Sequence, residues 1–264
     1  MKIAILVAGY SKYFPLFIDK PKCLYHLNGQ IQLQRVIEDA KQFVSEKDII
    51  IVAGYKHSYI EKFVKKHYPE IEVRVNERYT QPAIYSFRKA IENVDDDIVF
   101  MFGDESISRK NVERIAHSNK KMAILYHDTF YYYSVGILKL RKDMLPLIND
   151  DKYLTVDFLK DIYRFSNNGK EYDYSFSINS GICIGYMIID FVRTIGKIQK
   201  IEHPSTYTGS DIDFLHFDPK TEYLPDLDYI TDTDEYKNSF LLRFYSDFIS
   251  RALKKVLRLC RISL

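Results

Sequence analysis

Lys2-Ile3-Ala4-Ile5-Leu6-Val7-Ala8-Gly9 is the stretch on which the fold turns. Residues 2–8 are apolar almost without interruption and rich in β-branched side chains, and Gly9 ends the run. An apolar run with no polar alternation suits a strand covered on both faces, as in a parallel sheet. Outward from it, residues 31–44 carry apolar side chains at helical spacing: Ile31, Leu33, Val36, Ile37, Ala40 and Phe43. Residues 48–53 predict a second buried strand, and residues 57–68 a helix closed by Pro69. Residues 71–75 alternate like a strand with one wetter face, and residues 82–94 return to helical spacing. Residues 98–102 form another buried run, which ends at Gly103-Asp104. This alternation predicts an α/β fold, a mostly parallel right-handed sheet flanked by helices. Ligands of such sheets bind beyond the carboxyl ends of the strands, where Gly9, Gly54, Asn76 and Gly103-Asp104 all fall.

The second half is less regular. Residues 122–126 and 133–139 read as strands, 140–148 and 154–166 as helices, and Asn167-Asn168-Gly169 as a turn. Residues 203–228, rich in Asp, Pro, Thr and Tyr, predict a long loop with short strands, and 234–262 a helical terminus. The composition is globular, with 46% hydrophobic and 28% charged residues. A net charge of +2 creates no broad field for nucleic acid. Cys23, Cys183 and Cys260 are far apart, which argues against a zinc site or a disulfide framework. The apolar start is too short for a signal peptide, and no run reaches the length of a membrane span. A reducing cytoplasm is the expected location.

Leu6-Val7-Ala8-Gly9 leads into a loop, followed by Pro15-Leu16 and Pro21-Lys22-Cys23-Leu24. Backbone N–H groups in such a loop can cradle phosphates, and a following lysine can meet their charge. An ordinary turn with a surface lysine is the plainer reading of the same residues. Together the pieces resemble the sugar-nucleotide pyrophosphorylase signature, L-x-A-G followed by P-L and P-K-x-L. Ile49-Ile50-Ile51-Val52-Ala53-Gly54-Tyr55 is similar to the I-I-I-V-x-G-Y segment of phosphocholine cytidylyltransferases. Val75-Asn76-Glu77-Arg78-Tyr79 with Ile84-Tyr85-Ser86 resembles their N-x-x-Y and Y-S elements. The resemblance covers about the first 105 residues well and the remainder loosely.

The resemblance implies a nucleotide-diphospho-sugar transferase-like, Rossmann-related fold and a Mg²⁺-dependent nucleotidyltransferase. Residues 1–240 would be the transferase domain, with a nucleotide-binding half (1–120) and an acceptor half (121–240). Residues 241–264 would be a C-terminal basic helix. The partners would be an NTP, with CTP the first choice, and a phosphorylated small-molecule acceptor. Lys22 and Lys12 would be catalytic. Leu6, Ala8, Gly9, Tyr10, Asn76, Tyr85 and Ser86 would bind the nucleotide. Asp104 would hold the metal together with Asp232, which falls on the D of the family's late E-I-D-T-x-E-D-Y element.

Each has a structural alternative. Asp104 would serve as N-cap of a helix over 106–117, and Asp232 would cap the last helix with Glu235 completing a capping box. Tyr85 and Ser86 would be a core tyrosine and a helical serine. The loop Gly9-Tyr10-Ser11-Lys12-Tyr13-Phe14-Pro15 departs from the family's G-x-G-x-R. It lacks the second glycine, and Lys12 stands where an arginine is usual, without the bidentate fork. Two rival functions follow: a metal-dependent glycosyltransferase of related fold, and a nucleotide-binding relative with little turnover. Arg251, Lys254, Lys255, Arg258 and Arg261 recur at helical steps near the end of the chain. They predict a solvated basic face or a weak contact with an anionic membrane surface.

Overall fold

The computed structural model describes residues 1–9, 20–103, 106–126, 137–155, 190–191, 211–216, 223–224 and 234. Strand β1 (Lys2–Val7) is followed by a 3₁₀ turn at Lys22–Leu24 and a small hairpin, β2 (His26–Leu27) and β3 (Gln30–Ile31). Helix α1 (Gln32–Ala40), strand β4 (Ile49–Ala53), helix α2 (His57–His67), strand β5 (Glu72–Val75), helix α3 (Ile84–Ile91) and strand β6 (Ile98–Phe102) then alternate. After β7 (Ser106–Ile107) come helix α4 (Arg109–His117), strand β8 (Met122–Tyr126) and strand β9 (Ile137–Leu140). Strands β10 (Ile212–His216) and β11 (Tyr223–Leu224) complete the described elements.

The main sheet has seven strands in the order β10-β8-β9-β6-β1-β4-β5. β5, β4, β1 and β6 are mutually parallel, as the apolar runs predict. β9 runs antiparallel to both of its neighbours, β6 and β8, so the sheet is mixed rather than wholly parallel. β8 and β9 are consecutive in the chain and lie side by side, an arrangement that needs no helical crossover. β10 falls in the region expected to be a long loop with short strands, and extends the sheet beside β8.

Alternate residues of each central strand feed two cores. Ala4, Leu6, Ile50, Val52 and Phe100 pack against α3 and the 3₁₀ segment Lys142–Asn149. The Phe87 and Phe100 rings meet there at 4.5 Å. Ile3, Ile5, Val7, Ile49 and Ile51 pack against α1, α2 and α4 on the other face. Burial on both faces is why these strands read as unbroken apolar runs.

Three basic side chains close helix ends or anchor turns. Arg74 on β5 donates to the carbonyls of Lys89, Ala90 and Glu92 at the end of α3. Lys139, 5% exposed in mid-strand, donates to the carbonyls of Ala116 and Ser118 at the end of α4. Arg88 ties α3 to the Ile148 and Asp150 carbonyls and to Asp151. Cations are favoured where helix carbonyls lack partners.

Several boundaries differ from the sequence expectation. The segment expected as helix over 140–148 is 3₁₀, with Pro146 inside it, which denies an α-helical donor. The first strand residues of 133–139 and the helix residues 156–166 lie outside the described residues, as do 167–189 and 235–264, with the terminal helix. The helix expected over 106–117 begins only at Arg109, with Ser108 as its N-cap residue, after β7 pairs with β11. No helix among the described residues is long and apolar enough to cross a membrane.

Candidate functional site

The four parallel strands β5-β4-β1-β6 stand in chain order as third, second, first and fourth. The chain steps one way from β1 through β4 to β5, then crosses back to β6 on the other side of β1. Helices α1 and α2 cover one face and α3 the other. Such a reversal opens a crevice between the carboxyl ends of the first and fourth strands, the place where open α/β sheets bind ligands. Gly9 leaves β1 at one wall of this crevice, and Gly103 leaves β6 at the other.

The walls are close. The Gly103 N–H donates to the Leu6 carbonyl at 3.0 Å. A Cβ on Gly103 would collide with Val7 Cγ1 and lie 3.2 Å from Ile5 Cγ2. One strand further, the Tyr55 N–H donates to the Ala8 carbonyl at 3.0 Å, and the Asn76 N–H to the Ala53 carbonyl at 2.7 Å. A Cβ on Gly54 would collide with the Tyr79 Cβ and lie 2.6 Å from the Ala8 oxygen. Around Gly9 no described residue stands within 4 Å of such an atom. The chain after β5 therefore folds back over the ends of β4 and β1.

Leu6 and Ala8 are buried, with their carbonyls bound into the sheet. Gly9 is exposed. Lys22 is half-buried on a 3₁₀ turn whose neighbours Cys23 and Leu24 sink into the core beside α1. Asn76 and Ser86 are brought together: Asn76 Nδ2 donates to Ser86 Oγ at 2.9 Å, with the two residues 5% and 8% exposed. Asn76 Oδ1 accepts from the Arg78 N–H at 2.9 Å, an Asx turn that sets the direction of the returning chain. The Tyr85 ring lies beneath two guanidinium groups, Arg78 at 5.0 Å and Arg88 at 5.7 Å from its centroid. Tyr55 and Tyr79 stand 6.2 Å apart alongside. Tyr10, Lys12, Asp104 and Asp232 lie outside the described residues.

Two features escaped the sequence reading. Arg78 is one; its signal was the Asn76-x-Arg78 spacing of an Asx turn at a strand end. Asp234 is the other. Its carboxylate accepts from the backbone N–H groups of Asn28 and Gly29, at 3.2 and 2.6 Å, across more than 200 residues of chain. Both turn residues have left-handed backbones, φ 53° and 82°. Asp234 is thereby tied to the hairpin that follows Lys22. Among the described residues no group of three or more His, Cys, Asp or Glu side chains forms a metal site.

Solved structures that share this arrangement include nucleotidyltransferases. The inositol-1-phosphate CTP transferase from T. maritima superposes with a TM-score of 0.58 at 13% identity, covering 89% of this chain and 92% of that one. The fold is that of the nucleotidyltransferases. A putative glucose-1-phosphate thymidylyltransferase from Bacillus anthracis superposes with a TM-score of 0.55 at 12% identity, covering 88% of this chain and 91% of that one. The CTP:phosphocholine cytidylyltransferase from Streptococcus pneumoniae gives 0.52 at 15% identity, covering 92% and 98%. The family described as Domain of unknown function (DUF6564) matches residues 19–144. By sequence the chain is also similar to the mannose-1-phosphate guanylyltransferase regulatory subunit alpha of Dictyostelium discoideum, 30% identical over 99 residues. That match spans 34% of this chain and 24% of that protein.

Proposed function

We propose that this chain moves a nucleotidyl group from an NTP, with CTP the first choice, to a phosphorylated small-molecule acceptor, releasing pyrophosphate. Residues 1–240 form the transferase domain in this reading, and 241–264 a separate basic helix. The observation that carries it is the crevice between β1 and β6, with Gly9 at one wall and Gly103 at the other. Because α4 starts at Arg109 behind Ser108, Asp104 is not the N-cap of that helix. This supports a ligand role for Asp104, and the contact of Asp234 with the hairpin after Lys22 supports one for Asp232.

Asp104 and Asp232 would hold Mg²⁺, a hard cation suited to one or two carboxylates plus phosphates, and bound there it would offset charge on the reacting phosphate. Lys22 and Lys12 neutralise phosphate charge in this mechanism. An oxygen of the acceptor phosphate attacks the α-phosphorus in line, and the bond to pyrophosphate breaks. No general base is required, since a phosphomonoester is already ionised near neutral pH. Gly9, Tyr10, Asn76, Tyr85 and Ser86 surround the nucleotide.

The test is purified protein with each NTP, Mg²⁺ and a panel of phosphorylated acceptors, reading pyrophosphate. Lys22→Ala in a folded protein should lower turnover by about one to two decades, the worth of a charge-assisted contact. Unchanged kinetics would remove Lys22 from the site. Release of a nucleoside diphosphate from a nucleotide-sugar donor, with no pyrophosphate from any NTP, would indicate a glycosyltransferase. A second reading has its own support: the Dictyostelium relative is named a regulatory subunit, and the loop after Gly9 lacks the second glycine and the arginine. Nucleotide binding with no pyrophosphate release under any acceptor would favour it.

A further inference from the structure

We propose that Arg78, set over the Tyr85 ring, is an anion-binding residue that receives the phosphate of the acceptor, an assignment that rests on the transferase reading for the acceptor's identity. Three observations converge on it. The Asx turn from Asn76 fixes the Arg78 backbone, and Asn76 is itself locked by Ser86 in a buried hydrogen bond. The next residue, Tyr79, is pressed against Gly54 and thereby lies over the ends of β4 and β1. Arg78 is therefore carried to the ligand edge of the sheet, beside the strand that opens the crevice.

The side chain is placed but not consumed. Its guanidinium carbon sits 5.0 Å from the Tyr85 centroid, within the range of a cation–π contact. No carboxylate among the described residues pairs with it. Arg74 and Arg88, its neighbours in the fold, are by contrast engaged with carbonyls and with Glu72 or Asp151. A cation–π contact uses none of the guanidinium's N–H donors as hydrogen bonds, and the exposed fork matches phosphate or carboxylate oxygens in pairs. The same contact works against a quaternary ammonium, because the Tyr85 face that would hold one already carries positive charge. The geometry selects an acceptor by its anionic group.

The probes are glucose 1-phosphate, phosphocholine and inorganic phosphate, with CTP–Mg²⁺ as the separate nucleotide arm, each titrated calorimetrically into wild type, Arg78→Ala and Tyr85→Leu. The expected result is a loss of about ten- to hundred-fold in affinity for the phosphomonoester in Arg78→Ala. Tyr85→Leu should lose part of this, and the CTP affinity of Arg78→Ala should stay within about twofold. Arg78 is exposed, so the thermal midpoint of Arg78→Ala should match wild type. Unchanged phosphomonoester affinity in Arg78→Ala overturns the assignment. So does an equal loss for CTP, which would give Arg78 to the nucleotide, and so does failure of wild type to bind any of the three phosphate probes. If wild type releases no pyrophosphate with any NTP while phosphate binding still depends on Arg78, the subsite stands and the transferase reading falls.

Discussion

Replacing Gly54 by alanine separates packing from ligand binding at the strand ends. The added Cβ would collide with the Tyr79 Cβ, and would lie 2.6 Å from the Ala8 carbonyl oxygen and 2.9 Å from the Ala8 Cβ. None of these atoms is the far end of a flexible side chain, so relief requires backbone movement in two strands. Overpacking costs about 1–3 kcal/mol, and this geometry places Gly54→Ala near about 3 kcal/mol. At roughly 2–4 °C per kcal/mol for a domain of this size, the midpoint should fall by about 6–12 °C. Gly103→Ala meets chiefly Val7 Cγ1, a methyl that can turn aside, so about 1–2 kcal/mol is expected. Gly9→Ala meets nothing within 4 Å and should stay within about 0.5 kcal/mol of wild type. Neither Gly54, Gly103 nor Gly9 has a positive φ, so the differences among the three are steric rather than conformational. Thermal unfolding followed by circular dichroism gives the ranking. A Gly54→Ala midpoint within about 2 °C of wild type, or a Gly9→Ala protein less stable than Gly54→Ala, would refute the reasoning.

Ser86→Ala should cost about 1–3 kcal/mol in urea unfolding, because it strands the buried Asn76 Nδ2. The double variant Asn76→Ala, Ser86→Ala should cost less than the sum of the singles, and strict additivity would show that the pair is not coupled. Asp48 links the starts of β4 and β1: its carboxyl is held below the usual range first by the Lys2 ammonium at 2.8 Å, then by the Ser45 hydroxyl at 2.6 Å. A depressed folded pKa gives stability that is present above the unfolded value of about 3.9 and is lost as pH falls through the folded value. The advantage of wild type over Asp48→Asn should therefore be level at neutral pH, shrink below about pH 4, and stay under about 1 kcal/mol because the pair is partly exposed. An advantage that grows on acidification would contradict the sign.

The central strands were legible because burial on both faces writes itself as an unbroken apolar run, and Ile49–Ala53 and Ile98–Phe102 emerged nearly to the residue. The place of β9 was not legible. Its pairing with β6 skips back over α4 and β8 in the chain, and its sequence Ile-Leu-Lys-Leu hides the reason that a lysine lies buried there. Lys139 is tolerated because α4 ends beside it with carbonyls to accept its protons, a fact of tertiary placement. Likewise Ile212–His216 shows an apolar-polar mixture that loop composition around it obscures, and only a neighbour at β8 makes it a strand.

At the site, local chemistry marked strand ends but did not separate the two jobs that a strand-end residue can have. Gly9, Gly54 and Gly103 look alike in sequence, yet two are packed against close neighbours, while around Gly9 no described residue lies within 4 Å of an added Cβ. The glycines after β4 and β6 are there because Tyr79, Ala8 and Val7 need the room. No described neighbour asks the same of Gly9, so packing among the described residues does not account for the glycine there. The same division resolves Asn76, whose amide is engaged inside the protein by Ser86 and by the Arg78 turn. Each bond uses one of the amide's two donors or one of its two lone pairs, so its orientation is set from inside the protein. Its effect on the acceptor phosphate runs through Arg78, whose position it sets, and for this reason Asn76→Ala should weaken phosphomonoester binding together with stability, while Arg78→Ala weakens phosphomonoester binding alone.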